Sequence, residues 1–80
     1  MHFIYIIKSI DPQEKFYVGY TLNVDSRLLK HNEGGSVYTR DYKVWTLIMY
    51  CCFSDKGKAL RYEKYLKSHS GRAFMKKRLV

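Results

Sequence analysis

Lys15-Phe16-Tyr17-Val18-Gly19-Tyr20-Thr21 is the stretch around which the chain is organised. Its aromatic and β-branched residues favour a strand, and a glycine near the end lets the backbone turn or another group come close. An ordinary strand ending at a turn accounts for these residues too. Their weight therefore depends on what the flanking sequence brings to meet them.

Immediately upstream, Phe3-Ile4-Tyr5-Ile6-Ile7 is rich in β-branched and aromatic residues and too short for a core helix, which predicts a well-buried first strand. Ser9 to Glu14 breaks the pattern and contains the turn-forming pair Asp11-Pro12, so the two runs make an antiparallel hairpin. Tyr5 and Tyr17 are an even number of residues apart. If they lie opposite one another, both phenols project to the same side.

Downstream, Asn23 is a good N-cap for a helix running to about Glu33, with Asp25 favourable to the dipole and Gly34-Gly35 ending it. Val24 and Leu28 define its apolar edge, and Arg27 and His31 lie one turn apart beside that edge. Gly34 to Lys43 is a polar loop whose Tyr38, Arg40 and Tyr42 can pair with phosphate and stack on bases, or simply be exposed. Val44 to Phe53 reads as a long, mostly buried third strand.

Ser54 is the expected cap of a second helix through about Ser68, whose inward stripe is Ala59, Tyr62 and Leu66. Glu63 falls on that stripe, where an unpaired carboxylate would be costly, so a cation is expected beside it. A salt bridge with Arg27 or a lysine is one answer; a metal or active-site role is the other. Lys67 to Arg78 surrounds Ala73, Phe74 and Met75 with Lys67, Arg72, Lys76, Lys77 and Arg78, which predicts a short basic amphipathic helix after a Ser70-Gly71 break. Such a helix can serve as a phosphate-binding edge or as a solvated terminal element.

Eighty residues make one domain, residues 1–80, near the lower limit at which a single core suffices. Lys and Arg outnumber Asp and Glu by 15 to 7, for a formal charge of +8, so polyanions are the natural partners. Nucleic acid is favoured over membrane because no apolar run approaches the roughly 20 residues of a spanning helix and the start lacks a signal pattern. Cys51 and Cys52 are neighbours that point to opposite faces of a strand, which disfavours a disulfide and implies a reduced, cytoplasmic setting. His2, His31 and His69 show no zinc-ligand spacing.

The ordered set of Tyr5, Tyr17-Val18-Gly19, Arg27, His31 and Glu63 resembles the GIY-YIG nuclease superfamily, specifically its small single-domain members. Phe3-Ile4-Tyr5 would stand for the first tripeptide and Tyr17-Val18-Gly19 for the second. Thr21, Arg27, His31-Asn32 with Gly34-Gly35, Ala59-Leu60 with Glu63, and the closing Lys67 to Phe74 follow in order. The chain departs from the pattern at Phe3, where the leading glycine stands, and at Tyr20, where excision-repair members carry a lysine. No clear counterpart exists for the late asparagine of some homing endonucleases.

The resemblance implies an α+β fold: a three-stranded, mainly antiparallel sheet flanked by helices, in chain order β-β-α-β-α-α. It also implies a metal-dependent endonuclease acting on DNA, including branched, flapped or damaged DNA of the kind met in repair. Tyr17 would be the general base, which requires its proton to be lost near neutral pH under the influence of neighbouring cations. Arg27 would brace the phosphate, Tyr5 would position the water or Tyr17, and His31 would orient substrate or help proton transfer. Glu63 would be the only protein ligand of one divalent cation, Mg²⁺ or Mn²⁺, which keeps most of its waters. Gly19 would give the phosphate room to approach. Arg40, Lys67, Arg72, Lys76, Lys77 and Arg78 would hold the nucleic acid, with a homodimer or protein partner supplying specificity that so small a surface lacks. A nucleic-acid-binding module without turnover would need only the basic, aromatic-containing surface.

Overall fold

A computed structural model of the chain describes residues 1–10, 14–35, 39, 42 and 44–79. Arg40, expected to hold nucleic acid, and Tyr38, able to stack on bases or simply be exposed, lie outside the described residues. Three strands and three helices follow in the order β1 (His2–Ser9), β2 (Phe16–Thr21), α1 (Val24–Asn32), β3 (Trp45–Phe53), α2 (Lys56–Lys67) and α3 (His69–Arg78). The fold is α+β, as expected.

The apolar run of β1 takes the central position, and the sheet order is β2-β1-β3 with both pairings antiparallel. A strand covered on both faces must be apolar throughout, which is why Ile4, Tyr5, Ile6 and Ile7 are all buried. On one face Ile4, Ile6 and Val18 pack with Ala59, Leu66 and Met75 of α2 and α3. On the other, Tyr5, Ile7 and Trp45 pack with Val24 and Leu28 of α1 and with Tyr17, Tyr42 and Leu47.

A register shift between Ile6 and Ile7 divides β3 between these two faces, because Ile6 pairs with Met49 while Ile7 pairs with Leu47. The slip leaves Ile48 as the extra residue and reverses the facing of alternate side chains. Met49, Cys51 and Phe53 therefore join the first cluster, whereas Trp45 and Leu47 join the second. Cys51 and Cys52 are both free.

Helix α1 forms as its caps dictate. The Asn23 side chain accepts from the Ser26 N–H at 3.0 Å, and the Gly34 and Gly35 N–H groups close on the carbonyls of His31 and Lys30. Asn32 then ties the helix to β3, accepting from the Trp45 N–H at 2.6 Å and donating to the Trp45 carbonyl at 3.0 Å.

Two expected boundaries move. Asp55, not Ser54, caps α2, its carboxylate accepting from the Gly57 N–H at 3.0 Å; the charged oxygen is the better acceptor at a helix N-terminus. The break between α2 and α3 falls at Ser68 rather than at Ser70-Gly71. Ser68 is at once the C-cap of α2 and the N-cap of α3, with its hydroxyl accepting from the Gly71 N–H at 3.1 Å. Gly71 instead lies buried inside α3, where a Cβ would collide with the Tyr65 carbonyl group. The glycine permits the tight elbow between the two helices. Among the described residues no helix is long and apolar enough to cross a membrane.

Candidate active site

The hairpin register determines how the two motif tyrosines meet. Tyr5 pairs with Gly19, and Tyr17 pairs with Ile7, so the phenols share a face diagonally instead of standing directly opposite. Gly19 then has a steric purpose: a Cβ there would occupy the space of the Tyr5 hydroxyl and ring. The Tyr5 side chain crosses the backbone of β2, an edge strand, at the one residue that lets it pass.

Beyond that crossing, Tyr5 meets α1. Its hydroxyl lies 2.8 Å from His31 Nε2, while His31 Nδ1 lies 2.6 Å from Thr39 Oγ1. The Thr39 carbonyl accepts from Trp45 Nε1 at 2.9 Å. Tyr5 and His31 are 1% exposed and Thr39 is 0% exposed. Tyr17 completes a cluster of three rings, with centroids 6.3 Å from Tyr5 and 5.1 Å from His31.

These surroundings set protonation. Burial, followed by the neighbouring Tyr17 phenol and the Glu63 carboxylate, pushes the Tyr5 pKa well above the usual phenol value; Arg27 opposes the shift. Tyr5 consequently keeps its proton. Burial lowers the His31 pKa, and the charges of Arg27 and Lys30 lower it further, which favours the neutral imidazole. A neutral ring has one donor and one acceptor nitrogen, so if Tyr5 donates to Nε2, Nδ1 donates to Thr39.

Helix α2 approaches from the other side of the β2 edge. Glu63 meets a cation, as expected, and the cation is Lys67, with Nζ 3.1 Å from Oε2 one helical turn away. Their side chains are 46% exposed for Lys67 and 19% for Glu63, so solvent reaches the lysine freely and the carboxylate only in part. Lys67 Nζ also lies 5.7 Å from the centroid of the Tyr17 ring. A pocket of about 280 Å³ opens beside Tyr17 and includes Lys67 and Arg72 in its lining.

Tyr5, Tyr17, Arg27, His31 and Glu63 are thus gathered around the β2 edge, with Gly19 making the approach possible. Lys76, Lys77 and Arg78 are exposed in the last turn of α3 and are not part of the pocket lining. Tyr42, expected to be available for stacking, packs against the Tyr5 cluster with Lys15 Nζ 5.8 Å from its ring centroid. Tyr20 belongs to the opposite face of the sheet, bonded through its hydroxyl to His2 Nδ1 at 2.8 Å. A lysine at position 20 would start from that opposite face, the face on which α2 packs, and it is from α2 that Lys67 reaches Tyr17. Thr39 and the contact of Lys67 with Tyr17 escaped the sequence reading because neither lies at a local spacing that pairs it with its partner.

Among the described residues no group of three or more His, Cys, Asp and Glu side chains could hold a metal ion. The partly exposed Glu63 carboxylate nonetheless fits a hard cation that keeps several waters and is completed by substrate phosphate.

The chain matches the GIY-YIG catalytic domain over residues 1–78. It is 39% identical over 70 residues to a UPF0213 protein of Staphylococcus haemolyticus, spanning 86% of this chain and 83% of the relative. A homologue of the structure-specific endonuclease subunit SLX1 from Leishmania infantum is 38% identical over 71 residues, spanning 78% of this chain but 10% of that protein. The solution NMR structure of the UPF0213 protein BH0048 from Bacillus halodurans superposes with a TM-score of 0.57 at 32% identity, covering 95% of this chain and 82% of the other. With the domain match running nearly end to end and the tyrosines, arginine, histidine and glutamate drawn to one strand edge, the chain belongs to the GIY-YIG family.

Proposed function

We propose that the protein is a metal-dependent endonuclease that hydrolyses DNA phosphodiester bonds at the edge of β2, where side chains of α1 and α2 approach from opposite faces of the sheet. The observation that carries this reading is the division of labour between the two phenols. Tyr5 is sealed, protonated and bonded to His31, whereas Tyr17 is half-buried in contact with the Lys67 ammonium. Two like groups in unlike environments are suited to different tasks.

Tyr17 acts as general base, taking a proton from the attacking water, with Lys67 supplying positive charge beside it. Arg27 braces the phosphate oxygens and stabilises the charge that develops on them. Tyr5 fixes the arrangement of Tyr17 and His31, and His31 orients the substrate. Glu63 would hold one divalent cation, Mg²⁺ or Mn²⁺, whose chemistry is to stabilise charge on the phosphate and leaving oxygens. The exposed cations of α3 contact the backbone of the same nucleic acid.

Cleavage of branched, flapped and fully paired DNA in Mg²⁺ or Mn²⁺ tests the assignment. Tyr17→Phe is expected to lose about 10²- to 10⁴-fold in rate, the range for general bases, and Glu63→Ala to lose metal-dependent turnover. Unchanged cleavage in both variants would refute it. Absence of cleavage with retained, salt-sensitive DNA binding would instead support a module that binds without turnover, for which the basic surface suffices.

A further inference from the structure

The pocket beside Tyr17 has a composition that phosphate chemistry alone does not require. Val18, Leu66 and Met75 line it with buried apolar surface, and Phe16 adds a half-buried aromatic ring. Lys67 and Arg72, both exposed, complete the lining with cations. Arg72 Nε donates to the Lys67 carbonyl at 3.3 Å, which fixes the side chain of one cation to the backbone of the other. An apolar slot with a paired cationic rim is complementary to a planar base joined to a phosphate.

We infer that this pocket takes an unpaired nucleobase adjoining the phosphate to be cleaved, so that the protein selects DNA in which a base can leave the helical stack. The inference rests on the nuclease reading above. Tyr17 and Lys67 line the pocket and also belong to the proposed catalytic set, so a base in the slot would adjoin the phosphate on which Tyr17 acts. A volume of about 280 Å³ suits one ring system, and bases of an intact duplex cannot enter it without unstacking. Bulges, flaps and junctions present an unpaired base at lower cost. Phe16 offers a ring on which any base can stack, giving a preference for DNA shape over sequence.

The test is a binding titration by fluorescence anisotropy in EDTA, where cleavage does not intervene. A duplex with a single-nucleotide bulge is compared with the same duplex carrying a tetrahydrofuran abasic residue in the bulge, and with fully paired DNA. The wild-type protein is expected to bind the base-bearing bulge roughly 5- to 150-fold more tightly than the abasic one, the range for stacking one base. Phe16→Leu, which keeps apolar bulk, should narrow that gap, whereas Arg72→Ala should weaken binding to both bulges alike. Affinities within twofold for the two bulges in wild-type protein overturn the inference, whatever the variants do. A base-dependent gap in a protein that never cleaves would leave the pocket in place and remove the nuclease reading; cleavage without the gap would do the reverse.

Discussion

At the scale of single residues, His31 is the buried group whose ordinary titration range lies nearest neutral pH. Its pKa in the folded protein lies below the ordinary value of 6.5, so just below pH 6.5 the unfolded chain binds a proton that the native chain resists. Stability contributed by the neutral ring is therefore complete above about pH 6.5 and falls as the pH drops through that value, by up to about 1.4 kcal/mol per unit. Urea titrations between pH 7 and 5 should show this decline, and His31→Gln should flatten it. Tyr5→Phe removes the hydroxyl 2.8 Å from Nε2 and leaves a buried ring nitrogen without that partner. The expected cost is about 1–3 kcal/mol, read from the same titrations at pH 7.5.

At the scale of elements, the bulge in β3 and the elbow between α2 and α3 are the joints on which the site depends. Ile48 is 37% exposed, yet its presence as an additional residue lets Trp45 and Met49 face opposite sides of the sheet. Substituting it is expected to be nearly neutral, within about 0.5 kcal/mol for Ile48→Thr. Deleting it should unfold the protein by turning Trp45 and Leu47 away from the Tyr5 cluster, and circular dichroism melts would separate the two outcomes. The elbow allows no such tolerance: Gly71→Ala drives a methyl into the Tyr65 carbonyl. A loss of about 1–3 kcal/mol, the usual range for overpacking, is expected, with displacement of Arg72 from Lys67 as its local consequence.

At the scale of the whole molecule, the net charge of +8 makes a polyanion the natural partner, and the proposed DNA binding can be tested through its salt dependence. If Lys67, Arg72, Lys76, Lys77 and Arg78 neutralise about five phosphates, binding to duplex DNA should show a log–log salt slope near −4.5. Lys76→Ala and Lys77→Ala should each reduce that slope by about 0.9 without altering the pH profile of cleavage. EDTA should abolish cleavage while leaving binding in place, since the cations that attract DNA are independent of the metal.

The sequence by itself determined the element order and the antiparallel sheet. Turn residues, caps and the buried run Ile4 to Ile7 are local signals. That Tyr5 and Tyr17 share a face depends on the register, because a one-residue slip of β2 against β1 would send their phenols to opposite sides. Only the tertiary structure decided which residue stands opposite which. Gly19 pairs with Tyr5 and opens the way to His31; Thr39 and Lys67 then complete opposite sides of the site. Those contacts depend on a one-residue bulge, a two-helix elbow and the approach of α1 and α2 to one strand edge, all of which arise from packing between distant segments.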